Sequence, residues 1–406
     1  MPDVQVLLAV QGPGETDLVS AISRAPGLTV SRRCGDVAEL LAAAGARLGT
    51  VAVVSASHLG IDRVVVDRLR QMGVLSVGLA APEDTGRVAA LGVDAVVDQA
   101  GGTQAVLAAL TGVRDLPPPP PPPPPEEPQA ADGVLVTVWG TTGAPGRTTL
   151  AVNLAHTLTR HGTVGLVDAD TRAPSVAQVL GLVDESSALA LAVRAATQGR
   201  LDATTLDRSF PRVGQVAVMT GLTRPDRWRE APAAGLEVVL ERARARFGFT
   251  VVDVAGGWEP EAPGFDSAFA PARDGAQLAA LRLADVVVVV GAADPVGIHR
   301  LISLLAERPR TQGREVVVVT GVRPSVGGPA PDRAVREALA RFAGVADPVL
   351  VDDDRPGLDA ALMAGEYLAV TAPRSPALAG IEELARVVAG APVSRRAARP
   401  LRRRRR

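Results

Sequence analysis

Short apolar runs alternate with amphipathic stretches of helical period along most of the chain. In residues 1–114, "VQVLLAV", "LTVSRR", "TVAVVSA", "LSVGLAA" and "DAVVDQ" predict strands. "ETDLVSAISRA", "DVAELLAAAGARL", "DRVVVDRLRQMG" and "DTGRVAALG" predict helices between them. Repeated strand–helix alternation predicts a small parallel, doubly wound domain. Residues 132–392 repeat the alternation on a larger scale. Strands are predicted at "VLVTVWG", "TVGLVDAD", "QVAVMTG", "FTVVDVAG", "ADVVVVVGAAD" and "REVVVVTGV". Unbroken β-branched runs such as Val286–Val290 are what strands buried on both faces require. Predicted helices are "TTLAVNLAHTLTRH", "GLEVVLERARARFG", "GIHRLISLLAERP", "DRAVREALARFAG" and "PALAGIEELARVVAG". In the last of these, Leu378, Ile381, Leu384 and Val388 share one helical face, which is expected to pack on the sheet.

The two alternating regions are separated by Pro117–Pro125, within a proline-rich linker at 115–131. Prolines in series favour a stiff polyproline II rod, so the run reads as a spacer. At the other end, 393–406 is an arginine-rich tail with little apolar surface, expected to be disordered. Its charge suits weak contact with anionic membrane or nucleic acid.

The composition, 47% hydrophobic and 21% charged with a net charge of −1, is that of a globular protein able to bury cores. It excludes a chain-wide nucleic-acid or membrane signal. All 43 basic residues are arginine; the chain has no lysine. A single cysteine, Cys34, excludes a disulfide framework and a thiolate metal site within one chain. His58, His156, His161 and His299 lack ligand spacing. No run is apolar enough to span a membrane, and the start lacks a leader's positive charge, so a cytoplasmic protein is expected. The basic tail would allow peripheral contact at the inner face of the plasma membrane.

Candidate chemistry concentrates in the second region. "GTTGAPGRTT", Gly140 to Thr149, lies between a strand and a helix. Such a loop binds phosphate through backbone N–H groups at a helix N-terminus, and its general pattern is G-x-x-x-x-G-K-[ST]. Aligned from the right, Thr148 takes the Mg²⁺-ligand position, Arg147 the lysine position and Gly146 the second glycine. "VGLVDADTRAPSVAQVLGL" places Asp168 and Asp170 at the next strand end, where carboxylates can reach Mg²⁺ and an attacking water. "FTVVDVAGG" ends a later strand with Asp253, an acid of the Walker B kind.

The first region has the layout of a response-regulator receiver but not its chemistry. The first strand ends in "AVQGPGE" and the third in "VVSASH", and no lysine is available. Asp62 falls at the start of a helix. The expectation is a receiver fold serving as an interaction module.

"GAPGRTTLAVNLA", "LVDADTRAPSVAQVLGL", "VVDVAGG", "ALRLADVVVVVGAADPVGIHRL" and "LMAGEYLAVTAPRSPALAGIEELA" together resemble the MinD/ParA family of deviant Walker A ATPases. With a receiver-like domain in front, the whole chain resembles the CpaE/TadZ branch, which helps localise pilus-assembly machinery. The resemblance implies an α/β protein with an N-terminal receiver-like (βα)5 domain and a C-terminal P-loop NTPase, doubly wound on a mostly parallel sheet. It also implies ATP and Mg²⁺ as cofactors, a homodimer closed across nucleotide, and partners in a secretion, pilus or division machinery. Carried over by position, Thr142, Gly143, Ala144, Pro145, Gly146, Arg147, Thr148 and Thr149 would bind nucleotide. Thr148, Asp168 and Asp253 would serve Mg²⁺, and Asp170 would orient water as the catalytic residue.

Two departures qualify the expected activity. The family's signature lysine aligns with Thr142, and its loop lysine with Arg147. A threonine cannot supply the cross-dimer cation, so hydrolysis is expected to be weak or absent. The family's base-contacting asparagine aligns near Thr320–Gly321. The alternatives are an inactive pseudo-ATPase scaffold and a MinD-like septum-site regulator. "DADTRAP" also resembles the acidic motif of bacterial tyrosine kinases, but this chain has one tyrosine, Tyr367, and no tyrosine-rich tail.

Overall fold

Valine-rich runs form the strands, because branched side chains pack well on a pleated surface covered from both sides. In the computed structural model the described residues are 4–12, 14–55, 60–112, 133–143, 146–183, 186–257, 272–309 and 311–390. The proline run, the arginine tail, Ala144 and Pro145 lie outside them. The chain divides into two compact units, each built on its own sheet.

The first sheet contains β1 (Val4–Ala9), β2 (Leu28–Arg33), β3 (Val51–Ser55), β4 (Leu75–Ala80) and β5 (Ala95–Asp98). They are parallel, in the order β2-β1-β3-β4-β5. Connecting them are α1 (Glu15–Arg24), α2 (Val37–Gly45), α3 (Arg63–Gln71) and α4 (Thr85–Ala90), with α5 (Gly102–Gly112) following β5. Strand alternation sends Leu7, Ala9 and Val54 into one core with Leu40, Leu69 and Leu91. Val6, Leu8 and Val53 enter the other with Ile22 and Leu110. Asp62 caps α3, its carboxylate accepting from the Val65 N–H, as Asp36 does for α2.

Residues 191–206 and 230–239 cluster with this unit, although the sequence pattern groups them with the second. At Gly199, whose φ is 68°, a Cβ would lie 2.6 Å from the Arg87 carbonyl oxygen. Only glycine permits so close an approach in that conformation.

The second sheet contains β6 (Val134–Gly140), β7 (Val164–Asp168), β8 (Arg212–Val213), β9 (Val216–Met219), β10 (Phe249–Asp253), β11 (Val286–Ala292), β12 (Arg314–Val322) and β13 (Val349–Asp352). Their order is β13-β12-β11-β6-β10-β7-β9-β8, and β8 alone runs antiparallel to its neighbour. Two short strands escape the sequence pattern: β8 has two residues, and β13 has four and ends on the first of three consecutive acids. Arg355–Ala364 is a further unpredicted helix, although Asp354 and Pro356 supply ordinary start signals.

The helix α6 (Arg147–Leu158) and the closing helix Ala377–Ala389 cover one face of this sheet. Leu150, Leu154 and Leu158 share a core with Ile381, Leu384 and Val388 and with Val134, Val136 and Val138 of β6, while Leu378 is partly buried. The apolar face of the closing helix therefore packs on the sheet, as its periodicity predicts. The α/β class and the two doubly wound units match the predicted fold. Among the described residues, no helix is long and apolar enough to cross a membrane.

Candidate functional site

β6 lies between β10 and β11, and the ends of β6, β10 and β7 face one loop. The polypeptide leaves β6 at Gly140, turns through Thr142 and Gly143, and enters α6 at Arg147. Gly143 and Gly146 adopt left-handed φ values of 72° and 101°. These would strain any other residue, and they set the turn that points the start of α6 at the sheet's carboxyl edge. Asn153 anchors the helix from behind: its Nδ2 donates to the Thr149 carbonyl and its Oδ1 accepts from the buried Leu368 N–H, both at 2.8 Å.

The register of β7 and β10 sets Asp168 beside Asp253. The Thr148 hydroxyl donates to Asp253 Oδ2 at 2.6 Å. Asp253 Oδ1 is buried without a hydrogen-bond partner. Burial pushes the Asp253 carboxyl well above the usual range, and the charge of Asp168 adds to this. A hydroxyl beside a buried, incompletely partnered carboxylate is a hard oxygen donor pair, and it suits Mg²⁺ completed by phosphate and water. Among the described residues no cluster of three or more His, Cys, Asp and Glu could hold a metal alone.

Asp168 is differently employed. Its oxygens accept from the backbone N–H groups of Asp170, Ser175 and Val176. Burial raises its pKa to about 7, against the lowering effect of the Val176 N–H. It therefore holds the turn after β7 in place. Asp170 Oδ1 accepts from the N–H groups of Arg172 and Ala173, each at 2.8 Å, and Oδ2 lies 3.6 Å from Arg147 NH2.

Arg147 turns back from the loop. Its NH1 donates to the Thr141 carbonyl at 3.0 Å, its NH2 faces Asp170, and its Nε is buried without a partner. The Gly256–Gly257 turn after β10 packs over it: a Cβ on Gly256 would lie 2.2 Å from Arg147 NH1. The Gly257 carbonyl accepts from Trp139 Nε1 and Gln277 Nε2, which fixes that turn against the loop. Thr142 is exposed, and a Cβ on Gly257 would lie 2.0 Å from its hydroxyl oxygen.

The structure thus gathers Arg147, Thr148, Asp168, Asp170 and Asp253, with Thr142, Gly143, Gly146 and Thr149 along the loop. Sequence reasoning missed Gln277, which is distant in sequence, and the roles of Trp139 and Gly257, which lay inside quoted motifs. It also missed Arg300, whose NH1 lies 3.5 Å from the Thr142 carbonyl. Beside Gly146 and Thr149 opens a cavity of about 460 Å³, continuing past Thr320 and Gly321 to Asp353 and Ile381. Its size and its position next to a phosphate-type loop suit a nucleoside.

No protein-family model matches the chain, and no curated protein matches it. Solved structures do. A ParA family ATPase from Chlorobium tepidum TLS superposes with a TM-score of 0.51 at 17% identity, covering 63% of this chain and 99% of its own. The septum site-determining protein MinD of Pyrococcus horikoshii OT3, complexed with Mg-ADP, gives 0.48 at 15% identity, covering 63% and 96%. The Cyanothece McdA(D38A)–ATP complex gives 0.49 at 14% identity, covering 65% and 98%. At 17% identity the Chlorobium likeness is one of fold: 63% of this chain shares the architecture of a ParA family ATPase.

Proposed function

We propose that this chain is a nucleotide-binding positioning protein of the MinD/ParA type, gated by ATP and Mg²⁺ and weak or inactive in hydrolysis. The Thr148–Asp253 hydrogen bond at the start of α6 carries the reading, because it joins the loop to a strand end that holds an unpartnered buried oxygen. Thr148 and Asp253 would hold Mg²⁺, and the backbone N–H groups at the start of α6 would hold phosphate. When bound, Mg²⁺ neutralises phosphate oxygens. Gly146 keeps the phosphate approach open, and Thr149 and Thr320 border the nucleoside cavity.

Weak turnover follows from two residues. Thr142 carries no charge, so the loop has no cation there to meet developing negative charge. Asp170, the residue expected to orient water, is buried and tied to two N–H groups and to Arg147. A homodimer acting through protein partners of a pilus, secretion or division machinery completes the proposal. The receiver-like unit preceding the ATPase-like one favours the CpaE/TadZ-like form, with limits at 1–114 and 132–392. An inactive scaffold is the second reading, favoured by the inward-turned Arg147.

Nucleotide binding by the purified chain, measured by titration calorimetry with and without Mg²⁺, tests the reading. Mg²⁺-dependent ATP binding lost in Thr148→Ala supports it. No binding by wild type at millimolar ATP leaves the scaffold, and brisk ATP turnover contradicts the assignment of Thr142 and Asp170.

A further inference from the structure

Three charge positions matter at the loop, and two are neutralised or empty. Position 142 is a threonine. Arg147, at the position where phosphate-binding loops carry lysine, has its guanidinium between the Thr141 carbonyl and Asp170 under the Gly256 backbone. Arg323 and Arg355 line the far part of the cavity, and one further cation reaches the loop itself from elsewhere in the chain. Arg300, on the helix Pro295–Glu307 that follows β11, brings its guanidinium to the Thr142–Gly143 part of the loop. Its NH1 is 3.5 Å from the Thr142 carbonyl and would be 3.2 Å from a Cβ on Gly143. At 3.5 Å that hydrogen bond is a weak one. Arg300 is exposed and forms no salt bridge among the described residues, so most of its five N–H donors are uncommitted.

We propose that Arg300 is the phosphate-facing cation of this loop, acting from the same chain on the di- or triphosphate of a bound nucleotide. The inference rests on the nucleotide-binding reading above and adds the residue that makes a lysine-free loop competent for polyphosphate. A guanidinium suits the task because its fixed fork pairs with two phosphate oxygens at once. A Cβ on Gly143 would touch the guanidinium, a contact the exposed arginine relieves with a small shift; the left-handed φ of 72° is what reserves that position for glycine. Arg147 then acts as a positioning residue, linking the loop to the turn that carries Asp170.

The test is calorimetric titration of ATP, ADP and AMP, each with Mg²⁺, into the full-length wild type and Arg300→Ala, Arg300→Lys and Arg300→Glu, alongside thermal melts. Loss of one charge-assisted pair should weaken ATP and ADP binding by about tenfold or more. AMP, which offers no polyphosphate, should change by less than about threefold. Arg300→Lys should recover part of the loss and Arg300→Glu should deepen it. Since Arg300 is exposed, melting temperatures should stay within about 1 °C of wild type. If wild type binds ATP and all three variants bind it equally well, Arg300 has no such role and the nucleotide reading stands. If wild type binds no nucleotide, both fall together. A loss equal for ATP and AMP would also overturn the proposal, because it would place Arg300 on something other than the polyphosphate.

Discussion

The two sheets share one architecture and treat their acids in opposite ways. In the first unit, the acids near strand ends close local structure. Asp36 and Asp62 cap helices, Asp98 accepts from Ala100 N–H, and Asp94 Oδ2 accepts from the Ser76 N–H and hydroxyl. Glu15 and Glu39 pair with Arg33 and Arg32 at the surface. In the second unit, Asp168, Asp170 and Asp253 are almost wholly buried at adjoining strand ends, and Asp253 keeps an oxygen without a partner. A doubly wound sheet offers a crevice at its carboxyl edge, but only buried and incompletely neutralised charge turns that crevice into a site.

The sharpest way to break this contrast is at Asp253. Asp253→Asn should lower Mg²⁺-dependent ATP binding by about a hundredfold or more, equivalent to about 2.7 kcal/mol. It should also raise the melting temperature of the unliganded protein, because it removes a buried charge that burial and Asp168 both disfavour. Calorimetry and thermal melts read the two effects. A fall in both would mean that Asp253 is structural, like the acids of the first unit.

Asp168→Asn should go the other way. Both carboxylate oxygens accept N–H groups, Oδ1 from Asp170 and Oδ2 from Ser175 and Val176. An amide has one accepting oxygen, so its NH2 meets an N–H in either orientation, and the folded state should lose about 1–3 kcal/mol in denaturant titration. Asp62→Ala removes a helix cap and should lower stability by about 1 kcal/mol without changing nucleotide affinity.

The smallest expected effect is a pH dependence at His156, which stacks on Tyr367 with ring centroids 4.4 Å apart. Burial, helped by the charge of Arg160, lowers its pKa, and its Nδ1 is buried without a partner. A base depressed in the folded state favours folding fully above its unfolded pKa of about 6.5, and that contribution is lost as pH falls below it. Denaturation midpoints should therefore decline on mild acidification, and His156→Phe should flatten that part of the profile.

Much of this was legible without coordinates. The valine runs at Val286–Val290 and Val316–Val319 became β11 and β12, both interior to the sheet. "GTTGAPGRTT" supplied the loop, and the downstream order of Asp168, Asp170 and Asp253 supplied its acids. The division of labour among those acids was not legible. Asp168 and Asp253 both end strands in motifs of similar look, yet one accepts three N–H groups and the other leaves an oxygen open. The attachment of residues 191–206 and 230–239 to the first unit was also invisible, because it depends on Gly199 meeting Arg87 far away in sequence.

By itself the sequence determined all but two short strands, most long helices, the tight loop and the order of the acids, because periodicity and glycine's backbone freedom act over a few neighbouring residues. The tertiary structure alone decided how each arginine beside the loop is partnered. Arg147 sits in the lysine position but is drawn inward by Asp170 and the Thr141 carbonyl. Arg300, 158 positions beyond Thr142, arrives with one long hydrogen bond to the Thr142 carbonyl and no salt bridge among the described residues. Charge pairing depends on distance in space, and that is set only when the sheet brings the ends of β6, β7, β10 and β11 to one edge.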